Sequence, residues 1–512
     1  MQHDPILVVG AGPTGLVLAL SLARRGVKVR IIDKSSGPAQ ASRAMVVHAR
    51  NLEFYRQLGF ADEVVGQGLK MDRVHLRERG REAASFALGD IGRGLSPFPF
   101  LLCYPQDDHE RLLGAKLGEA GVEVEWNTAL TGLEQDADGV EPQLERDGRR
   151  ERARAPYLFG ADGAHSAVRH ALGIGFPGGD YDQLFYVADV ATEAGGTDML
   201  MTMDLHGFGL YLPVRSSGMQ RLIGLVPPEL AGRPDLTFDE IRPRAEQLTG
   251  LRVKEVNWFS LYHVHHRVAA HFQVGRCFIG GDAGHIHSPV GGQGMNTGIG
   301  DAINLAWKLA DVLRGRAGPQ ILDSYEPERI AYAHTLVATT DRMFQRVIGQ
   351  GLGSELFRTV LMPHIFPLLT GFSAVRRAMF RAVSQVRIAY HDSALSRGEA
   401  GDVGGGDRLP WVEAVDNFVK LRSLDWQVHV YGEIKPAMQA AASEFGLEVH
   451  AFPWSDAADH AGFKRDAAYL VRPDGHVGLA DAKQDPAVLR DYARAVGLRP
   501  LRPVPLDRVH PG

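Results

Sequence analysis

Residues Gly10-Ala11-Gly12-Pro13-Thr14-Gly15 set three glycines at G-x-G-x-x-G spacing, and Asp33 follows 18 residues after Gly15. The chemistry such a set can do is to bind a pyrophosphate. The first glycine permits a tight turn, the second lets backbone approach the phosphates, and the third lets a helix pack closely on a strand. Amides at a helix start then face the anion. Asp33 can accept bonds from ribose hydroxyls and would repel a 2′-phosphate. Two further glycine-bearing turns lie far along the chain. Gly160-Ala161-Asp162-Gly163 leads through Ser166 to Arg169; in isolation Asp162 reads as a helix cap and Arg169 as a solvated charge. Gly280-Gly281-Asp282-Ala283-Gly284-His285 is followed by Ser288-Pro289-Val290-Gly291-Gly292-Gln293-Gly294-Met295-Asn296. So many amides ahead of a helix suit a flat, electron-accepting ring that gains negative charge on reduction, which the helix dipole stabilises.

The elements that must hold these residues are legible around them. Ile6 to Val9 is a short apolar strand, Leu16 to Arg25 a helix closed by Gly26, and Val27 to Ile32 a second strand ending at Asp33. This is a β-α-β unit with a parallel strand pair. The pattern predicts a helix over Leu112 to Ala120 and strands over Val122 to Trp126 and Tyr157 to Gly160. From Phe176 to Phe272 it predicts an antiparallel sheet interrupted by a helix over Phe238 to Leu248. Cys277 to Gly280 reads as a buried strand, Asp301 to Leu313 as a helix, and Arg329 to Val386 as helical with breaks at Pro363 and Pro367. Gly401 to Pro410 is a linker. Beyond it come strand Asp425 to Tyr431, helix Pro436 to Phe445, strands Leu447 to Phe452 and Ala468 to Arg472, and a final helix over Pro486 to Val496. The expected fold class is α/β.

Composition excludes several classes. A chain of 512 residues predicts two or three domains, and a net charge of -5 lacks the basic footprint that nucleic acid requires. Cys103 and Cys277 cannot build a disulfide framework or a Cys-based zinc site, and so few cysteines suit a reducing cytoplasm. No basic segment precedes the first apolar run, so no secretory leader is expected. Glycines and Pro13 interrupt the apolar stretch Ile6 to Ala23, so no membrane span is expected either. His263, His265, His266 and His271 form a cluster without an acid at ligand spacing, and no metal is expected. His285 and His287 read as loop structure. No Gly-x-Ser-x-Gly elbow supports a hydrolase.

The three motifs, in this order and at these separations, resemble the class A flavoprotein aromatic monooxygenases, the para-hydroxybenzoate hydroxylase-like family, and most closely their phenol and polyketide hydroxylase branch. The resemblance implies a Rossmann-like FAD-binding domain over 1–175, with part of the substrate sheet near 72–102. It implies an antiparallel substrate-binding sheet over 176–272, completion of the FAD domain and a helical region over 273–395, and a thioredoxin-like domain over 400–512 without redox cysteines. It further implies that Gly10, Gly12, Pro13, Thr14 and Gly15 hold the FAD pyrophosphate, with Asp33 and Lys34 by the adenosine ribose. Arg43, Gln106 and Asp162 would lie by the cofactor and Asp282 on the ribityl chain. Gly292, Gly294, Met295 and Asn296 would meet the flavin pyrimidine edge, and Pro289 the reaction face. One departure is Gly284, where the family usually carries alanine.

The implied reaction uses NADPH or NADH to reduce FAD. O2 then adds, and a flavin C4a-hydroperoxide delivers one oxygen atom to an electron-rich aromatic small molecule. The protein orients the ring and excludes water. A base would come from the antiparallel sheet, where Tyr211, Arg215, Tyr262 and His263 are the candidates. A homodimer is compatible with the resemblance. A flavin-dependent dehydrogenase, oxidase or halogenase, or a non-catalytic flavin-binding protein, is the competing class; none of the six tryptophans carries the halogenase signature Trp-x-Trp-x-Ile-Pro. Asp282→Ala is expected to release FAD or greatly weaken its binding. Flavin content per purified protein measures this, and full yellow content with normal turnover would contradict the placement.

Overall fold

The strand Ile6–Val9 is apolar and buried along its whole length, as a strand needs to be when both faces of a parallel sheet are covered. It pairs in parallel with Leu158–Gly160 on one side and Val29–Ile32 on the other. Leu158–Gly160 in turn pairs in parallel with Cys277–Ile279. The strands Gln273–Val274 and Val124–Glu125 complete this six-stranded sheet at its two edges. The register sets Val9 opposite Gly160 and Gly160 opposite Ile279. Three chain segments far apart in sequence therefore leave the sheet at the same edge.

This computed structural model describes residues 4–39, 44–78, 80–193, 198–203, 208–233, 235–349 and 351–500. It divides into two compact units. One comprises the chain up to Arg24 together with Lys28–Asn304 and Arg329–Ile388; the other comprises Arg25–Val27, Leu305–Glu328 and the chain from Ala389 onward.

In the first unit, a second sheet of eight strands runs in the order 285–286, 253–268, 178–192, 220–225, 208–213, 199–203, 73–78, 81–87. It is antiparallel except where Met199–Met203 lies parallel to Arg73–Glu78. The helix Phe238–Thr249 starts with a capping box in which Glu240 accepts from the Thr237 amide at 2.9 Å. Its Phe238, Ile241 and Ala245 pack on Tyr186, Leu222 and Tyr211 from one face of the sheet. The expected break at Pro363 does not occur. Phe357–Ile365 is π-helical, and its i→i+5 pattern accommodates a residue without an amide donor. Pro367 opens the next short helix, Phe366–Leu369, where a missing N–H costs nothing. Cys103 and Cys277 are buried and free, and burial pushes both thiols up to about 12. Among the described residues no helix is long and apolar enough to cross a membrane.

The second unit holds a four-stranded sheet in the order Glu448–Phe452, Gln427–Tyr431, Ala468–Val471, Val477–Asp481, with only the first pair parallel. The helices Pro436–Glu444 and Pro486–Val496 accompany it. Its core contains a buried ionic cluster. The Glu328 carboxylate accepts from Lys308 at 2.9 Å, from Arg472 at 2.7 and 3.0 Å, and from Ser393 at 2.6 Å. Arg472 also reaches Asp474 at 2.6 Å. Burial alone would raise the Glu328 carboxyl, but Arg472 and Lys308 hold it far below the usual carboxylate range. Glu328→Gln removes the buried carboxylate that Lys308 and Arg472 share. The expected loss is about 3–5 kcal/mol, read as a lower denaturant midpoint for this unit.

Candidate functional site

The first motif is built by contact between backbones. Gly10 has φ +104°, and a Cβ there would lie 2.3 Å from the Ala161 carbonyl oxygen; a Cβ on Gly15 would lie 1.9 Å from the Gly10 oxygen. Only hydrogen fits at either place, so the first and second loops touch and the helix Pro13–Arg24 starts against its own strand. Pro13 opens that helix, and no acidic residue stands in its first turn. Its free amides therefore present a positive end, with no carboxylate in the helix's own first turn. Asp33 accepts from the Ala11 amide at 2.7 Å and the Ser35 amide at 2.8 Å, which fixes the carboxylate beside the loop with lone pairs to spare. Lys34 is exposed. Arg43 lies outside the described residues.

The second motif serves the site through its backbone. Both Asp162 oxygens are engaged locally, accepting from Ser166 Oγ at 2.5 Å and the Val168 amide at 3.1 Å. Arg169 is not a solvated charge. It is 3% exposed and donates to the Ala164 carbonyl at 2.8 Å and the Ala283 carbonyl at 3.0 Å. It therefore bolts the second loop to the third.

The third motif hangs on Asp301. This carboxylate accepts from the Gly281 amide at 2.9 Å, contacts His285 Nε2 at 2.7 Å and accepts from Arg329 Nε at 2.6 Å. Burial would raise the Asp301 carboxyl; Arg329 and His285 hold it below its ordinary value instead. Gly284 lies in this loop. A Cβ at this position would sit 3.3 Å from the Phe272 ring, and that ring stacks on His285 at 5.9 Å. After Pro289 the chain turns through Gly291 and Gly292, both at positive φ, into the helix Gln293–Leu313. The Asn296 side chain is fully used within the protein. It accepts from the His48 amide at 2.8 Å and Asn51 at 2.9 Å, and donates to the Val46 and Gly292 carbonyls, both at 2.8 Å. Its task is to tie segment 46–51 to the helix start.

The three loops open into one cavity of about 690 Å3, a size suited to ligand binding. Gly12, Pro13, Thr14, Gln106, Asp282, Pro289, Gly292, Gly294 and Met295 all line it. Gln106 begins the helix Gln106–Glu119 and donates to Glu110 at 2.8 Å. Two lining histidines are held neutral. Burial pushes His48 down to about 4, and burial with neighbouring His285 pushes His287 down to about 4.

Four of the five proposed catalytic residues lie elsewhere. On the strand Phe208–Pro213, Leu210 and Leu212 face the cavity. Tyr211 alternates to the opposite face, where it packs under the helix Phe238–Thr249 and meets Thr192 Oγ1 at 3.1 Å. Arg215 is exposed on the following turn and donates to the Gly68 carbonyl at 2.9 Å. Tyr262 belongs to a separate apolar cluster with Phe185 and Phe344, and His263 is exposed. Pro289 alone of that set lines the cavity. His265 is engaged with Asp180 at 2.7 Å, and among the described residues no group of three or more His, Cys, Asp or Glu is placed to hold a metal. The cavity's far wall comes from residues 71–101, the strands near 199–223 and the helical segments 343–383; the sequence pointed to the sheet part, near 72–102 and over 176–272, but not to the helical part.

A parallel sheet whose edge gathers three glycine loops over one cavity defines a dinucleotide-binding flavoprotein fold. The chain belongs to the FAD binding domain family, whose sequence pattern matches residues 4–340. It is 36% identical over 413 residues to the 6-methylpretetramide 4-monooxygenase of Streptomyces rimosus, covering 78% of this chain and 72% of the relative. It is 31% identical over 452 residues to the pentachlorophenol 4-monooxygenase of Sphingobium chlorophenolicum, covering 86% and 81%. Among solved structures it is similar to the flavin-dependent monooxygenase PieE in complex with FAD and substrate, with a TM-score of 0.79, 25% identity, and 96% and 98% of the two chains covered. The residues present fit FAD. A Cβ on Gly12 or Gly163 would meet nothing within 4 Å, so both loops border open space, beside a helix start rich in free amides.

The neutral histidines make the first unit acid-sensitive. The folded value of about 4 for His287 lies below its ordinary 6.5, so the unfolded chain takes up the proton first. Stability from this group is complete above about 6.5 and is lost as pH falls toward 4. Denaturant midpoints measured from pH 7 to 4 are expected to fall, and His287→Gln to flatten that slope by about one proton.

Proposed function

We propose that this protein is an FAD-dependent monooxygenase that hydroxylates an electron-rich aromatic ring, phenolic or polyketide-like, with NADPH or NADH and O2, in a reducing cytoplasm. The observation that carries the reading is the convergence of the three motif loops on one cavity whose opposite wall is apolar. Amides from Gly12 to Gly15 would hold the pyrophosphate, Asp33 a ribose, and Asp282 the ribityl chain. The turn Gly291–Gly292 and the helix that follows, with Gly294 and Met295, would border the ring. Held there, FAD would supply the redox chemistry, hydride acceptance from the nicotinamide and activation of O2, by which one oxygen atom would enter the substrate and the other leave as water.

The chain's own contribution is to bind, orient and exclude water. The start of the helix Gln293–Leu313 borders the cavity, and its positive end would stabilise charge on a reduced ring held there. Neutral His48 and His287 add no competing cation. The apolar wall keeps bulk water from the reacting face. Tyr211, Arg215, Tyr262 and His263 do not line the cavity, so none of these four would supply the base. A phenol's activation then falls to the polar loop side of the cavity. The strand order of the second unit supports reading it as thioredoxin-like. Both cysteines lie before residue 278, so that unit has no dithiol chemistry.

The expected result with purified, FAD-loaded protein is NAD(P)H oxidation stimulated by an aromatic substrate, with one O2 consumed per product and 18O from 18O2 in the new hydroxyl. Oxidised product formed without O2 would replace this reading with a dehydrogenase.

A further inference from the structure

Eight of the chain's twelve methionines line this one cavity. Met45 and Met295 stand by the motif loops. The other six are Met71, Met199, Met201, Met343, Met362 and Met379. They come from separate segments: Met71 from a short strand, Met199 and Met201 from one strand of the large sheet, and the last three from helical elements. On Met199–Met203 the alternation is explicit. Met199 and Met201 line the cavity, whereas Leu200 joins the cluster under the helix Phe238–Thr249 and Thr202 donates to the Leu248 carbonyl at 2.7 Å. Sheet and helical walls meet where Phe86 packs edge-on against Phe366 at 5.6 Å.

The cavity is divided chemically as well. Among the described residues, every polar side chain lining it lies in the motif loops, at His48 or at Gln106. The wall carrying the six methionines offers no charge and no hydrogen-bond donor. A thioether is polarizable, favours the edge and face of aromatic rings, and sits on a flexible unbranched stem that fits irregular shapes. A carboxylate against such a wall would lose its water with nothing to replace it.

Resting on the hydroxylase reading above, we propose that Met71, Met199, Met201, Met343, Met362 and Met379 are the specificity-determining surface of the chamber. They select a flat, uncharged, multi-ring aromatic and reject a ring acid of the same shape. The methionines hold the ring system between sheet and helices through sulfur and methyl contacts, and the reacting edge is left toward the polar loops.

The test uses ligand binding to the FAD-loaded full chain, read without turnover as a perturbation of the oxidised flavin spectrum. The probes are 1,8-dihydroxyanthraquinone and its 3-carboxylate. The acid is expected to bind at least about ten-fold more weakly. In Met199→Leu/Met201→Leu/Met379→Leu, volume is nearly conserved and flavin content should be unchanged. The preference for the three-ring probe over 1-naphthol should fall by about five-fold or more. If that variant folds poorly, Met379→Arg asks the same question by charge and should raise the acid's affinity relative to the neutral probe by about ten-fold. Equal binding of acid and neutral probe by the unaltered protein overturns the proposal, as does an unchanged ligand profile in the leucine variant. Selective binding without any oxygenated product would sink the hydroxylase reading and leave this one standing.

Discussion

Everything at the site depends on the in-register parallel pairing of three short strands. Val9, Gly160 and Ile279 stand side by side, so the chain must leave the sheet three times at one edge. Each exit is then a loop whose amides point away from the strand ends, and the ligand crevice of an open parallel sheet lies there. Strands of three or four residues offer little hydrogen bonding of their own. What keeps the register is complete burial of Ile6, Leu158 and Phe278 and their neighbours, all at or near zero exposure. A one-residue slip would turn every side chain to the other face.

Register alone does not hold loops against one another; buried polar groups do. Arg169 joins the carbonyls of Ala164 and Ala283. Asp301 gathers an amide, an imidazole and a guanidinium at one carboxylate. Asn296 uses both ends of its amide between segment 46–51 and the helix start. Such groups are costly to bury unpaired, and here the bonds they make help to give glycine-rich segments a single shape. The loops can therefore be rich in glycine, as close backbone approach demands, without being loose.

The first sheet and its loops were legible because their signals are local: a strand, a glycine turn and a helix within thirty residues. The helix Phe238–Thr249 was legible to within one residue, as Phe238 to Leu248. What stayed hidden is long-range. Arg169 finds its acceptor 114 residues away, and Glu328 meets Arg472 across 144, so neither could be told from a surface charge. Tyr211 failed for a different reason. Leu210, Tyr211 and Leu212 are all apolar, and the sheet is covered on both faces. No polar alternation marked which face was which. The sheet part of the cavity's far wall was legible as a substrate sheet, but the helical part from 343–383 was not, because its apolar residues read equally well as packing.

The methionines of the cavity give the molecule an uneven chemistry of sulfur. Cys103 and Cys277 are shut away as neutral thiols, the form that resists oxidants. A thioether needs no deprotonation to be oxidised, and its sulfoxide is polar and chiral. Oxidation of the methionines that line the cavity would turn a greasy slot into a wet one, a vulnerability the two buried thiols do not share.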